Sequence, residues 1–161
     1  MNIQGSIQLA KTAEKANKKF FQKLKRSKPA NLDAIVHQLH DEVFEKIHCI
    51  ECANCCKTTS PVFKQKDIDK LSRHFKIPAA NFIDKFLWID EDEDYVLKTA
   101  PCPFLGKDNF CTVYENRPEA CREYPHTNRK KIHKILELTL KNTMVCPAVY
   151  QIVEGMKAKM R

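Results

Sequence analysis

Four cysteines lie within the eight residues Cys49–Cys56, in the run CIECANCC, and any fold of this chain must first accommodate them. Four more follow at Cys102, Cys111, Cys121 and Cys146. So many thiols have three chemical uses: they hold a metal ion or an iron–sulfur cluster, they pair as disulfides, or they fill a core as small hydrophobes. With 161 residues the chain suits one compact domain.

Compartment separates the first two uses. No window approaches the ~18 apolar residues of a membrane-spanning helix. The opening stretch, MNIQGSIQLAKTAEKANKKFF, has periodic lysines in place of the apolar core of a secretory signal. The expected location is therefore the cytoplasm, with no membrane attachment. Cytosolic thiols stay reduced, and cysteine clusters there bind metal more often than they form disulfides.

Spacing then favours metal. Cys49, Cys52 and Cys55 follow one another with two residues between each pair. A C-x2-C turn brings two sulfurs onto one ion while its amides point at the thiolates, and repeating the step adds a third. Bacterial ferredoxins use such a run and take a further cysteine followed by proline. Cys102-Pro103 and Cys146-Pro147 both fit that remote position. Zinc sites normally draw two ligands from each of two knuckles, so three thiols in one loop tilt the reading to a [4Fe–4S] cluster, with zinc as the alternative. Cys56 directly follows Cys55, and adjacent side chains usually diverge, so a second centre or a core position is expected for it. Pro118 should open a short helical turn that sets Cys121 near a positive helix end, favouring thiolate. Cys146 takes the equivalent position before Pro147. His48 and His126 adjoin the cysteine segments, but eight thiols already suffice.

The remaining pattern is helical. Three glycines and 43% hydrophobic residues point to an ordered, mainly α chain. A lysine-rich helix is expected over about 6–26, with Leu9, Phe20, Phe21 and Leu24 as a patchy apolar stripe. SKPAN reads as a linker. Leu32, Ile35, Val36, Leu39, Val43 and Ile47 recur at three- and four-residue steps, predicting a helix over 32–47 that leads into Cys49. Helices are also expected in KDIDKLSRHF and PAANFIDKFLW, then over about 130–141 and 147–160. LWIDEDEDYVLKTA reads as a small β-hairpin around a solvated acidic turn, since an EF-hand's glycine and spaced glutamate are missing. Residues 100–126 should be irregular. The picture is a basic helix and linker over 1–30, then a cysteine-cluster domain over 31–161: helices around an irregular cysteine-rich metal centre.

Charge follows the same division. The net charge of +8 splits into +7 over residues 1–30, −5 over 31–121 and +6 over 122–161. Basic ends can meet an anionic partner, and a nucleic-acid role is one functional alternative, though no base-stacking motif or helix-turn-helix stands out.

The ordered segments CIECANCC, APCPFLGKDNFCTVYENRPEACREYP and MVCPAVY closely resemble the CxxCxxCC family, also described as YkgJ-like cysteine-cluster proteins and as candidate zinc or iron chelators. The resemblance covers about 49–150. It implies metal ligation by Cys49, Cys52, Cys55, Cys56, Cys102, Cys111, Cys121 and Cys146, and also fits Pro103, Phe104, Tyr114, Arg117, Pro118 and Arg122. A related, larger protein is the flagellin lysine N-methylase, associated with an iron–sulfur cluster and S-adenosylmethionine. An iron–sulfur-dependent methyl or redox transferase is therefore the enzymatic alternative. In it, Tyr114, Arg117 and Arg122, with Tyr124, would hold an anionic cosubstrate. Arginines in irregular loops also commonly bond carbonyls or neutralise thiolates.

Overall fold

Helices occupy most of the chain because its apolar residues recur at helical spacing. The structure, a computed structural model, describes residues 3–160. In chain order come α1 (Ile3–Ser27), α2 (Leu32–Phe44), α3 (Cys49–Cys52), α4 (Asn54–Thr58), α5 (Gln65–Phe75) and α6 (Ala79–Phe86). Strands β1 (Leu87–Ile89) and β2 (Tyr95–Leu97) follow, then α7 (Glu119–Glu123), α8 (Leu136–Asn142) and α9 (Pro147–Lys159). Single 3-10 turns precede α7 and α8, at Tyr114–Asn116 and Ile132–Lys134. The protein is mainly α with one small antiparallel hairpin, as its sequence led us to expect. Among the described residues no helix is long and apolar enough to cross a membrane. The helices divide between two compact units, Met1–Cys52 with Pro125–Arg161, and Ala53–Tyr124.

The first unit is built on α2 against α9. Val36, Leu39 and Val43 of α2 meet Val149, Ile152, Val153 and Met156 of α9, all buried. Each such side chain contributes roughly 1.5–3 kcal/mol on full burial. Gly155 permits the close approach: a Cβ there would stand 2.6 Å from Leu39 Cδ2. α2 ends at Phe44 instead of Ile47, yet the Ile47 amide still donates to Val43 O (3.0 Å) and its side chain stays in the core. α1 adds Phe21 and Leu24 to this core and buries Asn17, whose Oδ1 accepts from Lys157 Nζ at 2.9 Å. Asp33, in the first turn of α2, accepts the amides of Lys131 (2.7 Å) and Ile132 (2.9 Å), fastening the turn before α8.

The second unit has an aromatic core. Phe63, Phe82 and Phe104 are buried, and Phe75 and Phe86 stack around them with ring centroids 5.0–6.4 Å apart. The hairpin pairs Leu87 with Leu97, Trp88 with Val96 and Ile89 with Tyr95. Its acidic turn closes without glycine: Asp90 Oδ1 accepts the amides of Asp92 and Asp94, both at 3.0 Å, and Glu93 takes the left-handed position at φ 63°.

Candidate metal centre

The eight thiols separate into two groups, one in each unit. None forms a disulfide, all eight lying among the described residues.

In the first unit, α3 spans a single turn and carries Cys49, exposed, and Cys52, buried. Cys146 is the N-cap of α9 with Pro147 at its first turn, as the sequence suggested, and its own amide donates to Asn142 O at 2.8 Å. Burial pushes the Cys146 thiol up to about 11, against the amides of Val149 and Ala148 that aim at its sulfur, and the charges of Cys49 and Cys52 push it the same way. Those two thiols are therefore its electrostatic neighbours.

In the second unit, Cys55 and Cys56 sit side by side on α4, and their side chains hydrogen-bond to each other. Successive residues on a helix project about 100° apart, yet these two thiols stay within hydrogen-bonding reach of each other. Cys102 is tied to this helix by backbone, its amide donating to Cys56 O at 2.8 Å. Cys111 is set by a tight loop. Leu105 bridges Cys111 in antiparallel fashion, Gly106 N–H donates to Phe110 O (2.8 Å), and Asp108 Oδ1 accepts the Phe110 amide (3.0 Å). Cys121 rides on α7, which Pro118 opens. Asp67 fastens α7: one carboxylate oxygen accepts the Glu119 amide (3.1 Å) and the other the Lys64 amide (3.0 Å). Glu119 in turn is held down at about 2 by the ammonium groups of Lys66 and Lys64, at 2.5 and 3.1 Å.

The thiols of this group sense one another. The hydrogen bond from Cys55 lowers Cys56 to about 7. Burial, then the charges of Cys56 and its neighbours, raise Cys102 to about 11 and Cys121 to about 12, and raise Cys111 as well. The expected thiolate at Cys121 is therefore reversed. α7 has five residues and an acid in its first turn, so its dipole is too weak to offset burial and three nearby thiols.

Such a crowd is poorly solvated and mutually repulsive once ionised, and a cation relieves both costs by deprotonating the thiols it binds. The donor chemistry, all sulfur and soft, fits zinc or iron. Among the described residues no three histidine, cysteine or carboxylate side chains stand at metal-ligand positions.

Tyr114, Arg117 and Arg122 also belong to the second unit. The Arg117 guanidinium lies 3.6 Å from the centre of the Tyr114 ring, and Arg122 Nη1 donates to Arg117 O at 3.2 Å. Arg117 Nε is buried without a hydrogen-bond partner, and its charge opposes the rise at Cys111 and Cys121. His48 is exposed, in the first unit. Asp67 is a residue that sequence reasoning misses. Its signal was the third position of a helix beginning after Lys64, where a carboxylate reaches back to the preceding amide.

Residues 48–146 match the model of the CxxCxxCC family, whose description reads "Putative zinc- or iron-chelating domain". No curated protein and no solved structure matches the chain.

Proposed function

The chain belongs to the CxxCxxCC family, and from that premise we propose that it binds metal at two separate thiolate centres. The supporting observation is the division of the thiols, each group uniting segments far apart in sequence within one unit.

Cys56, Cys102, Cys111 and Cys121 make a four-thiolate set, the closed arrangement that suits a structural zinc. Cys55 donates its hydrogen bond to Cys56 and is not itself a ligand. Arg117 offsets part of the negative charge that four thiolates and a dication leave behind. Cys49, Cys52 and Cys146-Pro147 retain the C-x2-C and Cys-Pro elements of a cluster-binding sequence, and we read this group as the seat of a [4Fe–4S] cluster. Three thiolates leave a fourth coordination position open, which is where exchange or chemistry takes place.

Anaerobic purification followed by iron, sulfide and zinc analysis tests this reading. The expected protein is brown, with zinc beside the iron. Cys146→Ser removes iron and colour and spares zinc; Cys111→Ser removes zinc and spares colour; Cys55→Ser spares both. If either single variant strips both metals, the chain has one shared centre and the proposal fails.

A further inference from the structure

Helix α1 lies outside the matched residues, and its polar face has no part in the thiol chemistry. An α-helix turns once in 3.6 residues, which sets Lys11, Lys15, Lys18, Lys19, Lys23, Lys25 and Arg26 on one side. Ala10, Asn17, Phe21 and Leu24 are buried on the other. Every basic residue of α1 is exposed. Lys18 pairs with Glu14 (2.6 Å) and Lys25 with Glu137 (2.9 Å). Lys11, Lys15, Lys19, Lys23 and Arg26 have no carboxylate partner among the described residues.

From Lys11 to Arg26 this stripe runs about 22 Å along a straight helix, one or two charges per turn. Past Lys23 it borders a shallow groove of about 350 Å³, lined also by Phe20, Glu154, Lys157 and Met160 of the same unit, where Lys157 is paired with Glu154 at 2.5 Å and adds no free charge to the stripe.

We propose that this face of α1 is a binding surface for the phosphate backbone of nucleic acid, sequence-independent and additional to metal binding. Unneutralised charges repeating along a rod match a polyanion whose charges also repeat along a line. A lipid surface fits less well. A helix that lies in a membrane interface inserts its apolar face, and here Phe21 and Leu24 are committed to the core. Lysine heads on flexible stems meet phosphate as point charges and do not read bases, so discrimination between sequences is not expected.

The test is fluorescence anisotropy of labelled duplex DNA and duplex RNA with the whole metal-loaded protein across a salt series. Five unpaired charges predict a slope of log K on log salt of about −4.5. Replacing Lys11, Lys15 and Lys19 with Gln should reduce its magnitude by about 2.7, at about 0.9 for each phosphate no longer neutralised. Glutamine keeps the helix propensity, and an unchanged helical spectrum and metal content certify the fold. As control, Arg73, Lys85 and Lys107 of the second unit are replaced by Gln. The proposal is overturned by any of these results: no binding at low salt, a slope the α1 variant leaves unchanged, an equal loss in the control variant, or tighter binding to anionic vesicles or polyglutamate than to either duplex.

Discussion

The Cys102 amide donates to the carbonyl of Cys56 at 2.8 Å, so two thiols 46 residues apart are joined by main chain before any metal arrives. Because that bond involves no sulfur, exchanging the side chain leaves it intact. Cys102→Ser is expected to stay folded when metal-free, within about 1 kcal/mol of the parent in urea. The same variant should lose the second unit's metal. Zinc and iron analysis beside a urea curve checks both halves.

Thiol reactivity should be graded. Cys56, lowered to about 7 by its hydrogen bond from Cys55, is mostly thiolate in mild alkali. Cys102 and Cys146 at about 11 and Cys121 at about 12 are not. Alkylation of the reduced, metal-free chain at about pH 8, read by peptide mass spectrometry, should mark Cys56 well before those three. Rapid labelling of Cys121 would contradict the grouping.

The same shifts set the pH dependence of the metal-free fold. Cys102, Cys121 and Cys146 are raised above the ordinary 9.0, so their contribution is complete below pH 9 and is lost as pH rises through 11 to 12. Cys56 is depressed, so its contribution is complete above 9 and fades as pH falls through about 7. Cys111 is raised too, so four groups outweigh one, and thermal scans should show stability declining in alkali. Bound metal should flatten that decline, since its thiolates are already ionised.

Phe82 is fully buried among four other phenylalanine rings. Phe82→Ala should cost about 3–5 kcal/mol, through the ring's forfeited packing and the cavity left behind. Trp88 on β1, the single tryptophan, sits in the same unit and reports its unfolding by fluorescence. The transition should move to lower urea.

Asp33 opposes its partial burial with two backbone hydrogen bonds, and the Lys131 and Ile132 amides hold its carboxyl below 3.8. Asp33→Ala should cost about 1–3 kcal/mol at neutral pH. A depressed acid contributes above its unfolded value and loses that contribution as pH falls through the folded one. The stability curves of parent and variant should therefore converge in acid.

Much of the architecture was readable along the chain. The stripe on α2, the helix at Gln65–Phe75, the turn opened by Pro118, the capping place of Cys146 and the hairpin around Asp90 all rest on interactions within a few residues. Local periodicity and turn chemistry report such interactions directly. The cysteine residues were legible too, as residue types at a spacing.

How the thiols group was decided by tertiary structure. Ala53 takes φ 46°, a left-handed conformation that its side chain disfavours, and ends α3 before α4 begins. Nothing in the residue announces this, since alanine is the best helix former. That break places Cys49 and Cys52 with Cys146 in one unit, and Cys55 and Cys56 with Cys102, Cys111 and Cys121 in the other. The state of Cys121 was decided the same way. A dipole argument needs only the neighbouring residues, but burial and three thiols from distant segments outweigh it. Spacing along a chain measures contour length, and the convergence of side chains depends on how remote segments pack.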